Sequence, residues 1–112
     1  MKDNVIIDNL VQELKRGTLV LAVLLNSSKP SYGYSMINTL KDLGIEIEQN
    51  TLYPLLRRLE KQGLLESSWD TTDSRPRKYY IISEMGKGIR DSLYNEWNKT
   101  NKVIETMVVK GE

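Results

Sequence analysis

Basic side chains are concentrated in two short segments of this 112-residue sequence, and these segments are the best suited to bind an anion. Three of the five residues from Arg57 to Lys61 are basic, and Arg75, Arg77 and Lys78 add three more within four positions. The formal net charge is only +1 because acidic residues lie elsewhere in the chain. A nearly neutral protein whose cations cluster in this way can still hold a local phosphate-binding surface.

The residue types on which most enzymatic chemistry depends are missing. The sequence contains no cysteine and no histidine, which excludes disulfides, thiolate–zinc sites and a Ser-His-Asp triad. Gly86 and Gly88 lack the third glycine of a dinucleotide-binding loop. Glu46 and Glu48 are interpreted as solvated charges on an exposed edge. We therefore predict that the protein is not an enzyme and uses no metal or cofactor.

Length and hydropathy indicate one compact domain. The longest apolar run, Leu19 to Leu25, is about a third of the ~20 residues that a membrane-spanning helix needs. Asp3 and Asp8 interrupt the apolar N-terminal stretch, so no secretory signal is visible. The sequence therefore predicts a cytoplasmic protein without a membrane partner.

The first half of the chain is predicted to form three helices. The first covers about 25 residues and is loosened near Gly17, and its Leu19–Leu25 part is expected to be deeply buried. A second helix extends from an N-cap at Ser31 to Leu43, before a C-terminal Gly44.

A third helix from Asn50 to Gly63 has two clearly different faces. At 100° per residue, one stripe about 100° wide contains only leucines and is predicted to be buried, namely Leu52, Leu55, Leu56 and Leu59. The opposite face carries Asn50, Pro54, Arg57 and Lys61. This combination of polar and basic residues is unusual for a helix face that is merely solvated.

The second half predicts a β-hairpin and one long helix. Leu64–Trp69 and Lys78–Ile82 have strand composition and are separated by turn residues. Ser83 is predicted to cap a helix that continues to Met107, and its Gly86 and Gly88 predict a close backbone approach.

This order of elements is that of a winged helix-turn-helix. The predicted fold class is mainly α with a small β-hairpin and a long C-terminal dimerisation helix. We assign residues 1–82, including the N-terminal helix, to the winged helix-turn-helix region and residues 83–112 to the dimerisation helix.

Four motifs resemble those of the PadR family of bacterial repressors. They are TLYPLLRRLEKQGLL (Thr51 to Leu65), RKYY (Arg77 to Tyr80), SEMGK (Ser83 to Lys87) and YGY (Tyr32 to Tyr34). The resemblance extends from about Gly17 to the C-terminus and includes the family's short subfamily, which has a single C-terminal helix. It implies a homodimeric transcriptional repressor of a palindromic operator. The wing tip departs from the family's glycine-rich pattern.

The outer face of the third helix, its N-terminal neighbours and the wing are the predicted contacts with double-stranded DNA. Arg57 is placed to read a guanine edge in the major groove, and Arg58 and Lys61 to contact phosphates. The complete predicted set is Tyr34, Asn50, Thr51, Tyr53, Pro54, Arg57, Arg58, Lys61, Arg75, Arg77 and Lys78. The alternative is a winged-helix module that binds another protein and not DNA.

The last helix is predicted to be longer than the body that it packs against, so its far half needs a partner. A second copy of the chain could cover it with the apolar residues Val5, Ile6, Leu10, Leu14, Trp97, Ile104 and Met107. The segment around Trp97 also resembles multidrug-responsive family members, in which paired tryptophans stack a planar aromatic effector. Trp97 and Leu93 are therefore candidate ligand contacts, and plain interface packing is the alternative for Trp97. Trp69 is predicted to pack in the core or hairpin.

Overall fold

The computed structural model describes residues 2–111. The first residue of the region assigned to 1–82 and the last residue of the region assigned to 83–112 therefore lie outside the described part. Over these residues the chain forms five helices and three strands. They are α1 (Lys2–Arg16), α2 (Leu19–Leu25), β1 (Ser31–Tyr32), α3 (Gly33–Asp42), α4 (Gln49–Lys61), β2 (Leu65–Asp70), β3 (Arg77–Ile82) and α5 (Glu84–Lys110). The mainly helical winged helix-turn-helix is thereby confirmed.

The N-terminal segment is two helices, so the prediction of one loosened helix is wrong. The helix is interrupted at Gly17 and Thr18, where the Thr18 hydroxyl donates a hydrogen bond to the Lys15 carbonyl at 2.7 Å. The break separates two different environments, since α2 buries Ala22, Val23 and Leu24 while α1 has no buried residue. Leu25 is exposed, so the burial of the apolar run is incomplete.

Ser31 does not cap a helix, because it belongs to a third strand that the sequence did not predict. Strand β1 pairs antiparallel with β3, with Ser31 opposite Tyr80, and the strand order is β1-β3-β2. Helix α3 begins only at Gly33. Gly44 does follow that helix with φ = +93°, a conformation that favours glycine.

The core lies where the helices and the sheet meet. Leu52, Leu56 and Leu59 of α4 are buried and Leu55 is partly buried, which confirms the predicted stripe. Their partners in the core are Val23, Leu24, Met36, Leu40, Leu64, Leu65, Tyr80 and Ile82. With one side of α4 fixed by leucines, its opposite side faces solvent.

Helix α5 begins as predicted, with the Ser83 hydroxyl accepting a hydrogen bond from the Gly86 amide at 2.9 Å. Gly86 packs so closely on the Leu64 carbonyl that a Cβ atom there would overlap it. The same expectation is wrong for Gly88, which has no such neighbour within 4 Å.

The molecule is elongated, because α5 extends beyond the body. Its 27 residues span about 40 Å, and the overall dimensions are 59 × 38 × 21 Å. The radius of gyration is 16.8 Å, against about 13 Å for a compact chain of this length. Among residues 2–111, no helix is long and apolar enough to cross a bilayer.

Candidate nucleic-acid interface

The outer face of α4 is a polar and basic surface presented to solvent. The helix starts at Gln49, after Glu48 in an extended conformation. Asn50, Pro54, Arg57 and Lys61 are all exposed, as are their neighbours Thr51 and Arg58. A shallow depression on this face is lined by Glu48, Gln49, Asn50, Tyr53, Pro54 and Arg57. Guanidinium, ammonium and amide groups on one exposed helix face are suited to phosphates and base edges.

Tyr53 joins the first helix of the helix-turn-helix to the second. Its ring lies against Gly33, where an added methyl group would be only 2.5 Å from the Tyr53 Cε1 atom. Burial raises the pKa of the Tyr53 hydroxyl, with smaller contributions from Tyr32 and Tyr34. The hydroxyl therefore stays protonated at neutral pH and can donate a hydrogen bond. Tyr34 is 51% exposed, and its ring centroid is 6.2 Å from that of Tyr32.

Arg77 ties the wing to β1 through an aromatic contact. Its guanidinium carbon lies 5.2 Å from the centroid of the Tyr32 ring, within the range of a cation–π interaction. Tyr32 in turn lies beside Tyr79, at 5.9 Å between ring centroids. Arg77 is nevertheless exposed, and so is Arg75 in the loop between β2 and β3.

The wing loop is shaped by Asp70. Its carboxylate accepts hydrogen bonds from the Thr72 amide at 3.0 Å and from the Thr72 hydroxyl at 2.7 Å. These two bonds lower the pKa of Asp70, so the carboxylate is ionised at neutral pH. The wing tip is therefore ordered locally by a short polar turn.

Lys78 forms a partly buried ion pair, unlike the exposed arginines beside it. Its Nζ atom is 3.0 Å from Oε1 of Glu60, and Oε2 of Glu60 accepts a hydrogen bond from Ser67. The bond from Ser67 is the main cause of the lowered pKa of Glu60, followed by that from Lys78. The pKa of Lys78 is raised, chiefly by Glu60. Sequence reasoning missed Glu60, although an acid within the segment RRLEK was the available signal.

The structure joins the two basic segments through this Glu60–Lys78 pair. Of the predicted contacts, Tyr53 and Lys78 are partly buried and the other nine are exposed. Trp69 is 62% exposed, so it does not pack in the core, and it lies in strand β2 of the hairpin. It lies opposite Lys78 in the sheet, where β2 already projects beyond the core.

The residues predicted for ligand binding and dimerisation lie outside the core of the single chain. Trp97 is 46% exposed and stacks on Tyr94, with ring centroids 6.4 Å apart and planes 11° apart. Leu93 is partly buried against the core. The exposed predicted interface residues are Val5, Ile6, Leu10, Leu14, Ile104 and Met107. Ile7 and Tyr94 are exposed as well and were not among the predicted residues, although Tyr94 stands at the helical i, i+3 spacing from Trp97.

The helix pair α3 and α4 and the adjacent β2–β3 hairpin define this chain as a winged helix-turn-helix protein, with an exposed basic face on α4. Residues 20–91 match the model of the transcriptional regulator PadR-like family. The chain belongs to this family and is a DNA-binding transcriptional regulator. Within residues 2–111, no three acidic side chains are grouped closely enough to hold a metal ion.

Solved structures and a curated relative agree with this assignment. A PadR family transcriptional regulator from Eggerthella lenta superposes with a TM-score of 0.93 at 44% identity, over 96% of each chain. A transcriptional regulator from Clostridium thermocellum superposes with a TM-score of 0.79 at 29% identity, over 86% of this chain and 98% of the other. The transcriptional regulator Rv3488 of Mycobacterium tuberculosis is 31% identical over 69% of this chain and 73% of its own length.

Proposed function

We propose that the protein is a homodimeric repressor that binds a palindromic operator in the cytoplasm. The observation that carries this proposal is the outer face of α4, where Asn50, Pro54, Arg57 and Lys61 are exposed opposite a buried leucine stripe. An α-helix fits the major groove, and a guanidinium can pair bidentately with the O6 and N7 atoms of guanine. Arg57 reads the base, while Arg58 and Lys61 hold phosphates.

The wing adds a second set of contacts to the same duplex. Arg75 and Arg77 are exposed on the β2–β3 hairpin and supply cations to the DNA backbone or the minor groove. The hydroxyls of Tyr34 and Thr51 are exposed near the start of the two helices and donate to phosphates. Lys78 contributes to DNA binding indirectly, because its ion pair with Glu60 links the wing to α4.

Dimerisation explains the two apolar helix faces that the single chain leaves uncovered. Helix α1 exposes Val5, Ile6, Leu10 and Leu14, and the far part of α5 exposes Ile104 and Met107. Soluble monomers rarely expose contiguous apolar patches of this kind. A two-fold arrangement that pairs α1 of one protomer with α5 of its partner buries both faces and presents two recognition helices to two half-sites.

Release by a planar aromatic ligand is the regulatory part of the proposal. It rests on the resemblance to multidrug-responsive family members with a single C-terminal helix, and the stacked pair Trp97 and Tyr94 supports it. Two such pairs facing each other across the dimer axis, with Leu93 beside them, form an apolar slot. A ligand that fits only one spacing of the two α5 helices shifts the recognition helices away from the operator spacing.

Selection of duplexes from a randomised pool tests the operator proposal. We expect the enriched sequences to have dyad symmetry, to bind two chains per duplex and to lose affinity with salt at a log–log slope of about −0.9 per neutralised phosphate. A pool without enrichment would contradict the proposal and favour the protein-binding alternative. Enriched sequences without symmetry, bound by one chain, would contradict the dimer and the palindrome.

A further inference from the structure

The outer half of the wing is not held by the core. Leu65, Tyr80 and Ile82 are buried where the hairpin starts and ends, next to α4 and α5. Further out, Trp69 and Arg77 are exposed, and so is every residue between them. Burial of apolar surface therefore fixes the base of the hairpin but not the part that carries the arginines.

One carboxylate joins the hairpin to α4 at the point where that outer half begins. Oε1 of Glu60 accepts a hydrogen bond from Lys78 Nζ at 3.0 Å, and Oε2 accepts one from the Ser67 hydroxyl. Ser67 belongs to β2 and Lys78 to β3, so Glu60 holds both strands of the hairpin. Within residues 2–111, every side-chain hydrogen bond between α4 and the hairpin ends on Glu60.

The pair is shielded enough to be held in one geometry. The side chains of Lys78 and Glu60 are only 28% and 31% exposed, whereas each ion pair along α5 has at least one side chain that is more than two-thirds exposed. The Lys78 ammonium also lies 5.1 Å from the centroid of the Tyr80 ring. Because Tyr80 is a core residue, Lys78 is fixed from two sides.

We propose that Glu60 is a positioning residue for DNA binding, which holds the wing against α4 so that both reach one duplex. This inference rests on the proposed function. Arg57 lies one helical turn before Glu60 on α4, and Arg75 lies three residues before Lys78 on the wing. A shift of the hairpin relative to α4 therefore changes the distance between the two sets of cations that contact the DNA.

The competing explanation is that Lys78 contacts the DNA directly. It predicts the opposite change in DNA affinity when the carboxylate of Glu60 is removed. If Lys78 contacted phosphate, Glu60 would only compete for its charge and repel the duplex. Removing the carboxylate would then strengthen binding. If Glu60 positions the wing, the same removal weakens binding although the protein becomes more positive.

The test uses a duplex of about 30 base pairs, long enough for two half-sites, that the native chain has selected from a randomised pool. Glu60→Gln keeps the side-chain size and a hydrogen bond to Ser67 but removes the ion pair. We expect Kd to rise about tenfold and the salt slope to become shallower by about two, because Arg75 and Arg77 lose their phosphates. Glu66→Gln is the matched control, since Glu66 is exposed on β2 and forms no ion pair with any residue from 2 to 111. It removes the same charge and should not weaken binding.

A double-mutant cycle separates positioning from general damage to the fold. Arg75→Ala should weaken binding in the native chain and add little in Glu60→Gln, whereas Arg57→Ala should weaken both equally. Exchanging the charges in Glu60→Lys with Lys78→Glu should restore the native salt slope. Each variant is first checked by thermal unfolding.

Lys78→Met provides a second route if Glu60→Gln does not fold. Positioning predicts that Lys78→Met lowers the effect of Arg75→Ala in the same way and leaves the effect of Arg57→Ala unchanged. Binding by Glu60→Gln that is as tight as native, with an unchanged salt slope, would overturn the inference. A native chain that selects no duplex at all would instead overturn the proposed function, and the inference with it.

Discussion

Arg57 is exposed because the leucines of its own helix are buried. Leu52, Leu56 and Leu59 hold one side of α4 in the core, which leaves Arg57 exposed on the opposite side. We expect Arg57→Ala to weaken binding to the selected duplex by ~1–3 kcal/mol and to leave the unfolding temperature nearly unchanged. Titration of the duplex by anisotropy, together with thermal unfolding, measures both quantities.

Lys61→Ala is the control for Arg57, because Lys61 is exposed on the same face one turn later. It should weaken all duplexes alike and flatten the salt slope by about one. If Arg57→Ala also weakened unrelated duplexes to the same extent, Arg57 would be a phosphate contact and not a base reader.

Gly86 and Gly88 form a matched pair on the first turns of α5. A Cβ atom at Gly86 overlaps the Leu64 carbonyl, which is backbone and cannot move aside, whereas the same atom at Gly88 meets nothing within 4 Å. Gly86→Ala should therefore lower the free energy of unfolding by about 1–3 kcal/mol. Gly88→Ala should raise it by about 0.5–1 kcal/mol, since alanine favours a helix. Denaturant unfolding of both variants checks the opposite signs, and equal effects would contradict the close contact at Gly86.

At the scale of elements, the contact between α4 and the wing should make stability depend on pH. The pKa of Glu60 lies below its ordinary value of 4.5, mainly because of the bonds from Ser67 and Lys78. Its stabilisation is therefore complete above pH 4.5 and is lost as the pH falls through the lower folded-state value. The pKa of Lys78 lies above 10.5, so its contribution is complete below that pH and is lost as the pH rises further.

The difference in unfolding temperature between the native chain and Glu60→Gln measures this dependence. For a partly exposed pair we expect a contribution of about 0.2–1 kcal/mol to the free energy of unfolding at neutral pH. The difference in unfolding temperature should stay constant between the acidic and the alkaline pH limits given above and should decline outside them. Glu66→Gln serves again as the control for the loss of one negative charge on the hairpin. A difference that stayed constant from neutral pH to strongly acidic pH would show that the charge of Glu60 does not stabilise the wing.

At the scale of the whole molecule, the exposed half of α5 should be the dimer interface. Ile104 is 52% exposed in the single chain and lies on the same helix face as Trp97. In a dimer, Ile104→Asp would bury a charge without a partner, which costs several kcal/mol. We expect sedimentation to show monomers and binding to the selected duplex to collapse.

Thr106→Asp adds the same charge to the opposite face of α5 and should remain dimeric. If Ile104→Asp were fully dimeric at the concentrations of the native chain, another surface would form the interface.

Ligand sensing also belongs to the whole molecule, because a slot between two Trp97 side chains exists only in a dimer. Offset stacking contributes ~0.5–1.5 kcal/mol per ring beyond the burial of apolar area. We expect ethidium, a planar cationic dye, to quench tryptophan fluorescence of the native chain in the absence of DNA. Trp97→Ala should abolish the quenching, with Trp69 as the remaining fluorophore. Quenching that persisted in Trp97→Ala would leave Trp97 as an interface residue only.

Features that depend on neighbours in sequence were predictable without coordinates. The leucine stripe of α4, the Ser83 cap and the left-handed Gly44 all follow from local periodicity or backbone preference. The order of helices and hairpin then follows, and with it the exposed basic face. The family motifs lie on these same elements, which explains why the resemblance and the periodicity led to one fold.

Tertiary structure alone decided which distant residues meet. Ser31 is of a residue type that favours a helix N-cap, but pairing with Tyr80 places it in a strand. The pairing of Lys78 with Glu60 joins residues 18 positions apart, and no local pattern in the sequence predicted it. Trp69 is a large apolar residue of the kind usually found in a core, yet its position in β2 lies beyond the buried residues of the hairpin. Each of these outcomes depends on partners far along the chain, and local preferences of roughly 1 kcal/mol or less are readily overridden by such long-range packing.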